Sequence, residues 1–157
     1  MKYNCSVELD LPIDQVIRLW DDEAHFAEWQ DGFQSIVHLE GTPNTPGARS
    51  KIIFHQGKNV IELTETILSN KLPEEKKALY DHQHMTNIQT TCFEPLAGQK
   101  TRYFSEVEYS KFNGLMPKIL AFLFPGLFKK QSQRWMQNLK ALQKTLTKII
   151  KNKTIAW

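Results

Sequence analysis

Apolar residues recur along this chain with two different periods, and most stretches keep to one of them. In "YNCSVELDL" Cys5, Val7 and Leu9 alternate with polar neighbours, the period-two pattern of a strand with one buried face. In "PIDQVIRLWDD" the period changes, and Ile13, Val16, Ile17 and Trp20 are spaced as on one side of a helix. Pro12 suits the start of that helix, and Asp14 suits its N-terminal dipole. A second short helix is predicted over "EAHFAEWQ", with Phe26 and Trp29 three residues apart on one face and Gly32 ending it.

A ladder of short strands follows, near 34–40, 49–56, 59–68, 77–84, 87–94 and 101–110. The separators "GTPNTPG", "QGK", "NKLPEE" and "PLAGQ" are turn-like, and no gap leaves room for a helix. Such spacing implies an antiparallel meander. The chain then closes with an amphipathic helix. Phe128, Trp135, Leu139, Leu142, Leu146 and Ile149 share one sector, and Lys130, Lys140, Lys144, Lys148 and Lys151 lie opposite.

One stretch fits neither period: "GLMPKILAFLFPGLFKKQ", Gly114 to Gln131. It is too short to span a bilayer, which takes roughly 20 apolar residues. Pro125-Gly126 breaks any helix running through it. Phe122, Leu123 and Phe124 in succession point in three directions, so the stretch carries more apolar surface than one face can hide. It reads as two helical pieces joined by a kink.

At 157 residues, 41% hydrophobic and 24% charged, the chain has the make-up of one soluble globular domain, 1–157, with a real core. The N-terminus "MKYNCSVELDLPID" has no apolar core of a signal peptide. With only Cys5 and Cys92 as thiols, a cytoplasmic protein with free cysteines is expected. The net charge of +3 hides an asymmetry. Residues 1–108 hold ten Lys/Arg and all 17 Asp/Glu, whereas residues 109–157 hold ten Lys/Arg and no acid. The plain reading is a helix with a solvated basic face. The sharper one is a surface for an anionic partner. Nucleic acid is not expected, because no binding motif and no aromatic-rich basic strand occur.

The order strand, two short helices, six strands, long helix is that of an α+β seven-stranded curved antiparallel sheet gripping one helix. The segments "VELDLPIDQVIRLWDDEAHFAEWQDGF", "GTPNTPGARSKI", "ELTETIL" and "FEPLAGQKTRYFSEVEY", together with the C-terminal helix, resemble the START/SRPBCC superfamily. This is the helix-grip fold of lipid-transfer domains, plant pathogenesis-related allergens and bacterial polyketide cyclases. The resemblance covers nearly the whole chain in order. It specifies a fold rather than an activity, since the superfamily hosts binders, transporters and enzymes.

The resemblance implies a deep cavity between the sheet and the C-terminal helix, and strand alternation proposes its lining. In "VIELTETIL" Ile61, Leu63, Glu65 and Ile67 point inward. In "KKALYDHQ" the inward set is Ala78, Tyr80 and His82. In "MTNIQTTCFE" it is Met85, Asn87, Gln89, Thr91 and Phe93. In "TRYFSEVEY" it is Tyr103, Ser105, Val107 and Tyr109. Ile52 and Phe54 join from "SKIIFHQ", and Trp29 from the second helix. The kinked stretch is read as a lid or entrance, with Leu115, Met116, Leu120, Phe124 and Phe128 lining it. Such a cavity suits a small hydrophobic ligand. The alternative is that these side chains simply fill the interior.

Catalytic signals are sparse. His82-Gln83-His84 could pair two imidazoles, but no third ligand has a recognisable spacing, so no metal is expected. Glu65 on an inward face would have its pKa raised by desolvation and could act as a base. Cys92 faces outward. No phosphate loop, dinucleotide fingerprint or nucleophile elbow occurs. No catalytic residue and no cofactor is assigned. The expected function is non-enzymatic binding or carriage of a hydrophobic small molecule or lipid. The alternative is a cyclase, dehydratase or hydrolase using cavity polar groups. Apolar Phe122, Leu123 and Phe124 precede Lys129, Lys130 and Arg134, so peripheral contact with an anionic membrane is a further expectation.

Overall fold

The computed structural model describes residues 1–155. Strand β1 (Lys2–Leu9) leads into helix α1 (Ile13–Asp21), a 3₁₀ turn (Glu23–His25) and the one-turn helix α2 (Phe26–Trp29). Six strands follow: β2 (Phe33–Glu40), β3 (Arg49–Gln56), β4 (Asn59–Lys71), β5 (Glu75–His82), β6 (Met85–Leu96) and β7 (Lys100–Phe112). Helix α3 (Leu115–Leu123) and the long helix α4 (Gly126–Ile155) complete the described chain. All pairings are antiparallel, in the order β1-β7-β6-β5-β4-β3-β2. The meander from β2 to β7 thus places β1 beside β7 and leaves β1 and β2 as the two edges.

The alternation in β1 is realised as expected, with Cys5, Val7 and Leu9 buried and the residues between them exposed. Gly32 ends α2 with φ +83°, and a Cβ there would fall 2.1 Å from the His55 carbonyl oxygen. Only glycine lets the chain turn this closely against β3, where the His55 N–H donates to the Gly32 carbonyl at 2.7 Å. Several strand boundaries differ from the sequence reading: β6 (Met85–Leu96) is two residues longer at each end, and β7 runs on to Phe112. β4 runs on to Lys71, β5 starts two residues earlier at Glu75, and β5 stops at His82 because Gln83-His84 forms the tight turn into β6.

The core lies at one end of the concave face. Leu9 and Leu139 are fully inaccessible there, packed with Val16, Phe93, Tyr103 and Met136. Trp20 meets Phe93 edge-on at 5.4 Å, and Phe93 stacks on Tyr103 at 5.2 Å. Helix α4 packs along β1 and against α2. Polar ties fix it there. Gln143 is buried and accepts from the Asp10 N–H at 3.2 Å, and Asn138 donates to the Trp29 carbonyl at 3.1 Å. Ile149, expected on the packed face of α4, is exposed, and so are Leu115 to Leu120 and Phe122 to Leu127 wherever they are large and apolar.

Candidate functional site

Because α4 follows β1 rather than the middle strands, a cavity of about 520 Å³ remains between the helices and the concave face. The pairing register explains its polar character. His38, Ser50, Glu65, Tyr80, Asn87 and Tyr109 are successive cross-strand partners from β2 to β7, and all six line the cavity. The next row holds Ile67, Ala78, Gln89, Val107 and Tyr3, and the one beyond it Lys76, Thr91 and Ser105. Polar side chains therefore run as a belt across the sheet floor of the pocket, interleaved with the apolar Ile67, Ala78 and Val107. One flank is a chain of aromatic contacts: Trp29 to Phe26 at 6.2 Å, Phe26 to Phe33 at 5.5 Å, Phe33 to Phe54 at 5.8 Å, and Phe54 stacked on Trp135 of α4 at 5.4 Å.

Within the belt, Tyr80 donates to Glu65 Oε2 at 2.8 Å. Burial pushes the Glu65 carboxyl above its ordinary value, while the Tyr80 hydrogen bond and the positive Lys76 pull it back. The Tyr80 phenol is raised well above its ordinary value by burial first and by the Glu65 charge second. Burial also pushes Tyr103 up to about 12 and raises Tyr3 and Tyr109. These phenols are therefore neutral hydrogen-bonding groups at physiological pH. Lys76 is buried, donates to Asp21 Oδ1 at 3.2 Å and Asn44 Oδ1 at 3.1 Å, and lies 5.2 Å from the Trp20 ring centre. Gln89 donates to Ser105 at 3.1 Å. On the helical wall, the buried indole N–H groups of Trp29 and Trp135 have no hydrogen-bond partner among the described residues.

The structure brings Trp29, Phe54, Leu63, Glu65, Ile67, Tyr80, Asn87, Gln89 and Tyr103 together around this one cavity. Nine others proposed for the lining do not reach it: Ile61, His82, Met85, Phe93, Leu115, Met116, Leu120, Phe124 and Phe128. Phe93 has the inward parity but is consumed by the packed base under Trp20. His82 and Met85 flank the β5–β6 turn beyond the cavity's end, where His82 Nδ1 accepts from the His84 N–H at 3.3 Å. The His82 and His84 rings are 5.4 Å apart. Among the described residues no group of three or more His, Cys, Asp or Glu is placed to hold a metal ion. Met116, Leu120 and Phe124 stand exposed on or just after α3, none of whose residues is buried or lines the cavity. Leu115 and Phe128 are likewise absent from the lining, so the lid expected from this stretch does not cover the pocket.

Sequence reasoning missed Lys76, Tyr3, Trp135 and the Trp20–Asp21 corner. The signal for Lys76 was present, since it is two residues before Ala78 and four before Tyr80. Starting the strand at Lys77 hid it. Tyr3 likewise continues the alternation of Cys5 and Val7.

No family model matches the sequence, and no curated protein matches it. Solved structures do match its fold. A protein of Thermus thermophilus superposes with a TM-score of 0.74 at 13% identity, over 93% of this chain and 99% of that one. The Zhui aromatase/cyclase of a Streptomyces species does so with 0.75 at 8% identity, over 92% and 93%. Ara h 8.0201 gives 0.70 at 12%, over 92% and 98%. At such identities the likeness is one of fold. The chain shares with them the helix-grip fold, a seven-stranded antiparallel sheet curved around a long C-terminal helix.

Proposed function

We infer that this protein binds and carries a hydrophobic small molecule or lipid in its internal cavity, without transforming it. The observation that carries this reading is the cavity itself. Its 520 Å³ falls within the roughly 300–1,000 Å³ usual for small-molecule sites. Its walls join an aromatic flank to a floor of interleaved polar and apolar side chains, which fits a mainly apolar ligand with one or two oriented oxygens. The Glu65 carboxyl beside Tyr80, and the side chains of Asn87 and Gln89, are polar lining groups that such oxygens would meet. Leu63, Ile67 and Phe54 supply the apolar contact. Free Cys5 and Cys92 agree with a cytoplasmic setting for the carrier. Ligands of this class reside in bilayers, so the reading also calls for a way to meet one.

A second reading has one specific support, the 2.8 Å Tyr80–Glu65 hydrogen bond inside the pocket, which acid–base chemistry on a bound ligand would use. One fold neighbour is an aromatase/cyclase. The carrier reading is preferred because Lys76, the cation nearest Glu65, is tied in structural contacts to Asp21 and Asn44.

Native mass spectrometry of freshly purified protein tests the carrier. An adduct that extracts into organic solvent unchanged, and that is lost in Ala78→Leu, is expected. A protein that purifies empty and binds no alkyl or aromatic probe in solution would rule the carrier out. Conversion of the extracted molecule on re-addition would move the assignment to the enzyme.

A further inference from the structure

Among the described residues, nothing buries α3. Its sequence "LMPKILAFL" is apolar around nearly the whole circumference, with Lys118 as the one charge. A helix of that kind is ordinarily buried on every side, yet no residue of α3 is buried. Phe122 is 85% exposed and Leu115 72%, and Met116, Leu123 and Phe124 stand out beside them. A contiguous apolar surface of this kind marks an interaction site. At about 1.5 Å per residue α3 is roughly 14 Å long, against a hydrocarbon layer of about 30 Å. It cannot cross a bilayer, but it can lie in the interface with its side chains among the acyl chains.

The charge around it selects the occupant. Residues 109–157 carry ten Lys/Arg and no acid. Lys118 is on α3 and Lys129 and Lys130 open α4. Among the described residues none of the three has an acidic partner. Arg134, grouped with these lysines in the sequence, is instead held by Asp31 at 2.8 Å. A second copy meeting it through the same patch, as in a two-fold dimer, would bring the same positive charge and be repelled. A surface of phosphate and carboxylate headgroups over an apolar layer complements both halves of it.

The stems of α3 also end at the cavity. Tyr109 of β7 precedes it and Gln131 and Ser132 of α4 follow it, and all three line the pocket. Phe112 stacks on Tyr109 at 5.5 Å and Phe128 packs against the same ring at 4.9 Å, anchoring both stems while α3 itself stays free.

We propose that α3 and the first turn of α4 form a docking surface for an anionic phospholipid bilayer, holding the Tyr109–Ser132 end of the cavity against the membrane. Resting on the carrier reading, this makes the bilayer the place where ligand is exchanged. The test is co-sedimentation of the full chain with phosphatidylcholine vesicles, with and without phosphatidylserine, at low and high salt. Binding to the phosphatidylserine vesicles alone is expected, abolished by high salt. Phe122→Ser/Phe124→Ser and Lys129→Glu/Lys130→Glu should each weaken it about tenfold or more. Both variants alter exposed side chains, and an unchanged melting temperature shows that they fold. No binding to phosphatidylserine vesicles at low salt overturns the proposal. So does equal binding to neutral vesicles, or an α3-dependent dimer in sedimentation velocity that ignores vesicles. No ligand is added in this assay, and ligand binding is measured without vesicles, so docking and carriage fail separately.

Discussion

At one end of the concave face, Trp20, Phe93 and Tyr103 close on one another with ring centres 5.2 to 6.1 Å apart. Two and three rows further along the same strands, Gln89 and Asn87 of β6 and Tyr109 of β7 look into the cavity. Both regions sit on the same inward face of β5, β6 and β7, and both obey the same alternation. They differ in what opposes them. Over the base, α1 packs on β6 and β7 with Trp20, and α4 adds Met136 and Leu139. Over the hollow, the helical layer is the Trp20–Asp21 end of α1, the short α2 and one side of α4, and the sheet offers small side chains in Ser50, Ala78 and Ser105. Alternation decides which face a side chain takes. The other layer decides whether it is packed or left facing a void.

The largest effect that tests this contrast is truncation in the base. Phe93→Ala removes a ring clasped by Trp20 and Tyr103 and should cost about 3–5 kcal/mol in urea unfolding. Leu139→Ala should lie at about 2–5 kcal/mol for the same reason. Leu63→Ala, on the inward face of β4 but fronting the cavity, should cost less than about 1.5 kcal/mol, because much of the lost side chain already lacks neighbours. Equal losses at Phe93 and Leu63 would mean that the hollow is packed in solution and that the contrast is false.

Filling the hollow is the converse test. Ala78 is buried yet borders the cavity. Enlarging it to Leu would overpack a tight core at about 1–3 kcal/mol. Here the added methylenes enter open space, so stability should stay within about 1 kcal/mol of the parent while binding of an apolar probe falls. A destabilised Ala78→Leu would show that the row at Ile67 and Gln89 has no room to spare.

How much of this was legible beforehand follows from the same contrast. The fold could be read, because seven strands and a long helix each announced themselves by period and the turns by their glycines and prolines. The identity of the inward face was legible as well, which is why Glu65, Tyr80, Asn87 and Gln89 fell together. What alternation cannot report is how far along a strand the opposite layer reaches. Phe93 was lost to the base for that reason, and His82 and Met85 were lost to a turn placed two residues late. The α3 segment failed differently. Its apolar side chains were read as lining the pocket because the helix-grip resemblance places this connection near one end of the cavity, whereas no residue of α3 is buried and none lines the pocket.

The smallest expected effect concerns Glu65, and it sharpens the contrast by asking whether the belt is built for folding or for a ligand. Burial raises the Glu65 carboxyl above its ordinary value despite the hydrogen bond from Tyr80 and the attraction of Lys76. A carboxylate with a raised folded pKa binds its proton more tightly in the native state than in the unfolded one. Its cost to stability is therefore absent below the unfolded value. It appears as pH rises through the interval up to the folded value, and it persists at neutral pH. Glu65→Gln keeps a carbonyl oxygen for the Tyr80 hydroxyl and has no charge to bury, so its melting temperature should exceed the parent's at neutral pH. The two curves should converge on acidification below the carboxylate range. Tyr80→Phe removes the hydrogen bond that holds the Glu65 pKa down and should shift the same interval to higher pH. A base side chain would show neither behaviour, since nothing there ionises in this range. If Glu65→Gln is instead destabilising at neutral pH, the ionised carboxylate is being held by Lys76. The belt would then belong to the scaffold, and the ligand's polar partner would have to be sought among Ser50, Asn87 and Gln89.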